Sequence, residues 1–295
     1  MASSGITGAL GGRWRADVTA WGAIEPWDGS PPLEWHVAAD DRWHTPASDT
    51  TVRQRRVGGT PVFETRVHVP GGDAVHRCYS VAAAGGATVI ELTNDSPLPI
   101  AVALTRPDLL TNRPPTDVGV QGIDLPAGTI VVPIGHRTSV TVALPHDGGG
   151  PGPLPGRLAG ADEVARGWHS MAERSSRLEL PDPSFVDAVV AARCDLLLAG
   201  PPPRDVDTVG YLLAVGELVR LGELPTSGVA ALVEDVAAAV EDTARREGWD
   251  VDAALDVDEA LRRIDVTRYA LVVTDFWLPR FNGAEVIAYL HALGD

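Results

Sequence analysis

A Gly/Pro-rich stretch at residues 147–156, Asp-Gly-Gly-Gly-Pro-Gly-Pro-Leu-Pro-Gly, separates two parts of the chain that have different hydrophobic periods. The stretch itself has no periodicity, and its glycines and prolines disfavour both a helix and a strand ladder. Before it, apolar and polar residues alternate, which is the period of a half-buried β-strand. After it, apolar residues recur every three to four positions, as in an amphipathic helix. We therefore predict a β-rich part followed by a helical part.

The β-rich part contains one clear predicted hairpin, at residues 61–81. One side of residues 61–70 is mostly apolar, and the other side carries Glu64, Arg66 and His68. The sequence Pro70-Gly-Gly-Asp73 supplies the turn, and alternation resumes after it. Further short runs lie at 87–93, 99–104, 129–134 and 138–144, with the spacing of an antiparallel sandwich. We predict one β-sandwich-like domain over residues 1–150.

The helical part is predicted to comprise a linker and connecting helix over 151–180 and helical hairpins over 181–248. A helix is expected to start near Ser184 and to stop at Gly200-Pro-Pro-Pro203. Two more helices are expected over about 206–221 and 229–247. The apolar stripe predicted for the first hairpin helix consists of Phe185, Ala188, Val189, Ala192 and Leu196.

Charge and residue usage restrict the partners. The 295-residue chain has a formal net charge of −16, which argues against a nucleic-acid groove and an anionic membrane surface. All 24 basic residues are arginines, so no lysine is available for chemistry. Cys78 and Cys194 are too few for a disulfide framework, so we expect a reducing, cytoplasmic compartment. The N-terminus has no basic start or apolar run, so no export signal or membrane span is expected.

The sharpest local motif lies near the C-terminus. The run Tyr269-Ala-Leu-Val-Val-Thr-Asp275 is apolar and rich in β-branched residues, which predicts a buried parallel strand ending in a carboxylate. Ligands of open α/β sheets bind at that end of the strands. A loop at 276–283 and a helical pattern over 284–293 follow. The predicted order is strand, acid, loop, helix.

These residues resemble the receiver domains of two-component response regulators. The segment Val251-Asp-Ala-Ala-Leu-Asp-Val-Asp-Glu-Ala-Leu261 is similar to that family's second strand and second helix. The segment from Val272 to Ile287 is similar to its third strand, phosphoacceptor Asp, Leu-Pro loop and Gly-containing turn. The resemblance covers about 249–295. It implies that Asp275 accepts a phosphoryl group from a histidine kinase or another phosphodonor, in a site that holds Mg²⁺ with an acidic pair.

The sequence departs from the receiver pattern in two places. The acidic pair would be Glu234 and Asp235 if residues 229–233 formed the first strand, but 229–247 also reads as one amphipathic helix, and we favour the helix. The family's last two strands, with a hydroxyl residue and a lysine at the phosphoryl group, have no counterpart in this sequence. We expect a partial receiver, and Asp275 as a strand-end residue without phosphoryl chemistry is an equally open interpretation.

A second resemblance covers residues 1–248. Five of the eight Trp residues lie in the first 43 positions, and a Trp-rich β-sandwich, a linking helix at 163–177 and helical hairpins follow one another. This layout is similar to the N-terminal part of glycoside hydrolases of the glucoamylase and debranching type. In that family the catalytic carboxylates come from later helices, so no catalytic residue is assigned here. The Trp residues either stack on sugars or fill the core, and core filling is the commoner role.

The remaining candidates are few. The histidines show no metal-ligand spacing, and Arg53-Gln-Arg-Arg56, the one basic cluster, is typical of an exposed sheet edge. The expected fold is α+β and multidomain: an antiparallel β-sandwich, helical hairpins, and a partial α/β receiver-like segment. Three functions stay open: a phosphorelay receiver impaired by truncation, a truncated carbohydrate-active protein without its catalytic acids, and a non-catalytic structural protein. None implies catalytic activity for the chain as it stands.

Overall fold

The computed structural model describes residues 5–112, 121–224, 238, 241–242, 244–252, 254, 257–272, 288–289 and 292. The chain forms two compact units. The first, here called the β-rich unit, comprises Met1–Pro201 and Ala214–Glu223. The second, here called the C-terminal unit, comprises Pro202–Leu213 and Leu224–Asp295.

The described part of the β-rich unit contains thirteen strands in three antiparallel sheets. A three-stranded sheet has the order β1-β2-β3, a four-stranded sheet β12-β10-β4-β5, and a six-stranded sheet β11-β13-β9-β8-β7-β6. The strands are β1 (Gly5–Gly8), β2 (Arg15–Val18), β3 (Ile24–Pro26), β4 (Trp35–Ala39), β5 (Arg42–His44), β6 (Arg53–Arg56), β7 (Phe63–Val69), β8 (Gly72–Val81), β9 (Ala87–Asn94), β10 (Ile100–Leu104), β11 (Leu110–Thr111), β12 (Ile130–Ile134) and β13 (Ser139–Pro145).

The predicted hairpin at 61–81 is confirmed. Strands β7 and β8 pair antiparallel, with Phe63 opposite Cys78 and Val69 opposite Gly72. Phe63 and Val67 are buried in a core that takes side chains from all three sheets, including Val37 of β4 and Val102 of β10. The alternation in the sequence therefore identifies the face of the six-stranded sheet that turns inward.

The outer face of the six-stranded sheet is also partly covered. Helix α1 (Ala161–Ala172) packs Ala161 and Ala165 against Tyr79, Val81 and Val89 on that face. The turn before α1 is stabilised because the Glu163 carboxylate accepts a hydrogen bond from the Gly160 N–H at 3.2 Å. One sheet thus contributes to two apolar clusters, one on each side.

Helix α2 (Pro183–Ala199) begins and ends where the sequence predicts, but it buries a different face. Asp182 is its N-cap and accepts from the Ser184 N–H at 2.9 Å, and Gly200 ends it with a φ of +76°. The predicted stripe is wrong: Phe185, Ala188 and Ala192 are exposed, and Val189 and Leu196 are half-buried. The fully buried residues are Val190, Arg193, Cys194 and Leu198. The helix is apolar nearly all round, so its periodicity does not single out one face.

The β-rich unit extends across the predicted boundary at residue 150. Within the Gly/Pro stretch, Gly152 forms a bridge with Leu110, and the Gly152 carbonyl accepts from the Thr111 N–H at 2.9 Å. Leu154 packs against the cluster under α1. Helix α2 contacts Trp168 and Ala172 of α1 through a shared apolar cluster. Residues 161–199 therefore belong to the same compact unit as the sheets, because α1 needs the sheet to bury its apolar face.

The predicted helices further along are recovered in part. Helix α3 (Thr208–Arg220) lies within the predicted 206–221. Of the predicted helix 229–247, residues 238, 241–242 and 244–246 are helical, and 229–237 lie outside the described residues. Helix α4 (Val257–Val266) follows in the C-terminal unit. No helix among the described residues is long and apolar enough to cross a membrane.

The structure describes residues 269–272 of the predicted strand at 269–275, and these four residues do not form a strand. Residues 269–272 have no strand conformation, and Leu271 is 68% exposed. The Tyr269 hydroxyl instead donates to Asp252 Oδ2 at 2.6 Å. A buried parallel strand needs partners on both sides, and residues 269–272 have no strand partner among the described residues. The expectation of a buried strand is therefore wrong for this stretch.

Candidate functional site

The candidate site of the β-rich unit lies at the tight turn between β4 and β5. Ala39 pairs with Arg42, so only Asp40 and Asp41 connect the two strands. Both have positive φ, 54° and 58°, as the two central residues of a type I′ turn require. Asn and Gly are the favoured residues there, and non-glycine residues at positive φ carry backbone strain. The turn keeps two carboxylates at positions where a glycine would be less strained.

Trp43 follows this turn on β5, at the edge of the four-stranded sheet. Its indole N–H donates to the Gln121 carbonyl at 2.9 Å, a residue 78 positions away. Gly122 lies beside the indole, and a Cβ there would be 3.7 Å from Trp43 Cδ1. The ring is half-buried and held in one orientation, because its only polar atom already has a partner.

Turn and ring together border an open cleft of about 730 Å³. Its walls also include Ala38, Ala39, Pro99, Ile100, Ala101, Gln121 and Gly122. The volume lies within the range of small-molecule sites, roughly 300–1,000 Å³. The cleft combines an aromatic wall with polar groups on one hairpin.

The charged side chains at the cleft have no partner among the residues that the structure describes. Across the described residues, the side chains of Asp40, Asp41 and Arg42 take part in no hydrogen bond or salt bridge. Two carboxylates offer acceptors, and a guanidinium offers donors, to a ligand. Such groups around an aromatic face match a polyhydroxylated ring, which is apolar on its faces and hydrogen-bonds at its rim.

A row of polar side chains lies on the inner face of the six-stranded sheet, where Thr65 and His76 are buried and Gln54 is half-buried. Gln54, Thr65 and His76 are opposite one another on β6, β7 and β8, and the His76 ring stacks on Trp35 of β4 at 4.9 Å between ring centroids. The Trp35 indole N–H donates to the Trp21 carbonyl at 2.9 Å. The stack of His76 on Trp35 thus joins the six-stranded sheet to β4 of the four-stranded sheet.

Burial controls the ionisation of this row. Complete burial lowers the pKa of His76 to about 4, since the charged ring would lose its hydration. Among the described residues, His76 Nδ1 and Gln54 Oε1 are buried without a hydrogen-bond partner. Burial also raises the pKa of the nearby Cys78 thiol, so this cysteine is not an activated nucleophile.

The early Trp residues divide into core and surface positions. Trp35 is fully buried, and Trp14 stacks on His146 at 3.9 Å between ring centroids. Trp27 is 50% exposed, and Trp43 borders the cleft. Core filling therefore accounts for only part of the Trp cluster, because Trp27 and Trp43 reach the surface.

The residues predicted to form a phosphoacceptor site, Asp275, Glu234 and Asp235, lie outside the described residues, so the structure does not test the Mg²⁺ site. Within the described residues, no group of three or more His, Cys, Asp or Glu side chains has metal-binding geometry. The basic cluster at 53–56 is the edge strand β6 of the six-stranded sheet, as predicted. Arg56 of this strand makes a two-pronged salt bridge to Asp195 of α2, at 2.9 and 3.0 Å, which is a structural role.

Sequence reasoning did not single out the β4–β5 turn. The available signal was local: two Asp residues between short apolar and aromatic runs are typical of a tight turn. The contact between Trp43 and Gln121 has no local signal, because it joins distant parts of the chain.

No family model, curated protein or solved structure matches this chain.

Proposed function

We propose that the β-rich unit is a carbohydrate-binding module whose site is the cleft beside the β4–β5 turn. The observation that carries this proposal is the fixed, half-exposed Trp43 next to Asp40, Asp41 and Arg42, whose side chains have no partner among the described residues. Stacking on an indole with hydrogen bonds at the ring edge is how proteins commonly hold a pyranose. The proposal includes a β-sandwich for the four- and six-stranded sheets, supported by the core that they share.

The backbone strain of the turn supports a role beyond folding. Asp40 and Asp41 both have positive φ, a conformation that Asn-Gly adopts with less strain. A residue kept at a strained position is a reason to test for function at that position. Carboxylates at the rim of a cleft supply that function, because they accept hydrogen bonds from sugar hydroxyls.

A pair of variants tests the proposal. Maltoheptaose and cellohexaose are titrated into the full chain, and binding is followed by Trp fluorescence and calorimetry. Trp43→Ala should weaken binding by at least roughly fivefold. The double substitution Asp40→Asn with Asp41→Gly should keep or raise the melting temperature and still weaken binding. Unchanged affinity in both variants would reject the cleft as the sugar site.

A second proposal concerns Asp275, and it rests on the sequence. We propose that Asp275 is a phosphoacceptor of the receiver type, impaired because the chain has no lysine to neutralise the phosphoryl charge. The observation in its favour is that α4 (Val257–Val266) overlaps the segment that resembles the family's second helix. The histidine kinase or other phosphodonor belongs to this proposal.

Phosphorylation is tested with acetyl phosphate and Mg²⁺. We expect weak labelling or none, and any label should vanish in Asp275→Asn. Label that survives this substitution would remove the receiver assignment. Glu234→Gln with Asp235→Asn should lower Mg²⁺ affinity if these residues form the acidic pair. Unchanged affinity would instead favour the continuous helix over 229–247.

A further inference from the structure

The three-stranded sheet carries an exposed aromatic side chain whose orientation is fixed. Trp27 follows β3 directly, and its backbone N–H donates to the Arg15 carbonyl of β2 at 2.9 Å. Its indole N–H donates to Asp17 Oδ2, also at 2.9 Å. Half of the side chain is nevertheless exposed to solvent. The protein thus holds a large apolar ring face in water without leaving its polar atom free.

The strand register places acidic groups around this ring. Asp17 lies opposite Glu25 on the neighbouring strand, so both point to the same face of the sheet, and Trp27 follows two positions after Glu25 on that face. Glu25 is exposed, and its side chain has no hydrogen bond or salt bridge within the described residues. Asp28 follows Trp27 and accepts from the Ser30 N–H at 2.9 Å. Glu25 and Asp28 therefore flank Trp27 in the sequence, and Asp17 and Glu25 lie on the same face of the sheet as Trp27.

The same sheet face is covered by protein at its other end. Ile6 of β1, opposite Asp17, packs against the cluster of α1 and α2, and Arg15 donates to the Leu198 carbonyl at the end of α2 at 2.7 Å. The face changes from covered to exposed between β1 and β3. Trp27 is on the exposed side, so it does not fill the contact between sheet and helices.

We propose that Trp27 is a second sugar-stacking position, separate from the cleft, that takes a neutral oligosaccharide. This inference rests on the proposed carbohydrate function. The ring face stacks on a pyranose, and the flanking carboxylates accept hydrogen bonds from its hydroxyls. The negative charge of Asp17, Glu25 and Asp28 disfavours polyanionic glycans such as uronic-acid polymers. Asp17 is a positioning residue, because it fixes the indole through its N–H.

The test follows individual indole N–H signals by NMR in the full chain labelled with ¹⁵N. The signals of Trp27, Trp43 and Trp249 are assigned from single Trp→Phe variants. Trp249 is 57% exposed, and its indole has no hydrogen-bond partner within the described residues, so it is a matched exposed control. Maltoheptaose and cellohexaose should shift the Trp27 signal in wild-type protein and in Trp43→Ala, and leave the Trp249 signal in place.

Substitutions then measure the stacking contribution. In the Trp43→Ala background, Trp27→Ala should weaken residual binding by at least roughly fivefold. Asp17→Ala should weaken it by a smaller factor and broaden the Trp27 signal, because the ring loses its anchor. Polygalacturonate oligomers should leave the Trp27 signal unshifted.

The outcomes separate the two proposals. A Trp27 signal that does not move while the Trp43 signal does would overturn this inference and leave the cleft intact. A Trp27 shift without a Trp43 shift would remove the cleft and retain the second position. If no signal moves with either sugar at millimolar concentration, both proposals are wrong. A shift of similar size with polygalacturonate would refute the stated ligand class.

Discussion

Acid should destabilise the β-rich unit through His76, the ring that stacks on Trp35 inside the core. Burial lowers the pKa of His76 to about 4 in the folded protein, whereas the unfolded chain takes up the proton near pH 6.5. The depressed folded pKa means that the stability contribution is complete above pH 6.5. It is lost as the pH falls towards 4, because over that range only the unfolded state binds the proton.

The size of the effect follows from the two pKa values. Each pH unit between them costs about 1.4 kcal/mol, so the free energy of unfolding should fall by about 2 kcal/mol at pH 5 and about 3.4 kcal/mol below pH 4. Burial also lowers the pKa of the partly exposed His146 to about 4, so wild-type protein has a second contribution of the same sign.

A phenylalanine at position 76 isolates the contribution of His76. His76→Phe keeps an aromatic ring against Trp35 and has no proton to bind. Urea unfolding at pH 7, 6 and 5 should show the variant gaining on wild type by about 2 kcal/mol between pH 7 and pH 5. His136→Gln is the control, since that side chain is exposed in the β12–β13 turn and should not alter the curve. A constant difference between His76→Phe and wild type over this pH range would refute the reasoning.

Three further experiments test the packing of the β-rich unit. Gly59→Ala should lower the free energy of unfolding, measured with denaturant, by about 3 kcal/mol or more, because the new Cβ would clash with the Asp187 carbonyl oxygen and Gly59 has a φ of +73°. The control Gly29→Ala is also at positive φ but has open space around it, so it should lower the free energy of unfolding by only about 1 kcal/mol. Arg193→Met should cost about 3–5 kcal/mol, since Arg193 is buried, bonds Glu217 at 2.7 Å and donates to two backbone carbonyls. Arg157 is exposed, so the control Arg157→Met should lower the free energy of unfolding by less than about 0.5 kcal/mol. Equal losses for the two arginine variants would contradict the buried structural role of Arg193. Limited proteolysis should cut first at 147–150, ahead of the bridged Gly152, and an initial cut inside β7 or β8 would refute this order.

Local patterns were enough to predict elements whose neighbours in space are also neighbours in sequence. The β7–β8 hairpin is one case, because the alternating side chains and the Gly-Gly turn lie within one short segment. The start of α2 is another, since Asp182, Pro183 and Ser184 form the cap within three positions. In both, the information that selects the conformation is local.

Predictions failed where distant partners decide the outcome. The buried face of α2 is set by Arg193, which bonds Glu217 and the end of α1, and an arginine is not expected on a buried stripe. The run at 269–272 has the composition of a buried strand but no strand partner within the described residues. Composition gives a preference, and a strand forms only when a neighbour completes its hydrogen bonds.

The candidate cleft could be predicted only in its parts. The Trp-rich start was predicted from the sequence, whereas the acidic β4–β5 turn and the carbonyl 78 positions later that holds Trp43 were not. Nor does it separate Trp35, which is core, from Trp27, which is half exposed. Alternation in short strands leaves both assignments open, because strand register and sheet order are long-range properties.

The helix on the outer face of the six-stranded sheet has a consequence for how the chain emerges from the ribosome. The last strand of that sheet ends at Pro145, while the apolar patch of Tyr79, Val81 and Val89 is covered only when residues 161–172 follow. A nascent chain at this stage carries a complete sheet with one uncovered apolar face. Such intermediates attract chaperones or other nascent chains. A pause in translation after Pro145 has left the ribosomal exit tunnel, and before residues 161–172 have left it, would therefore lower the yield of native protein.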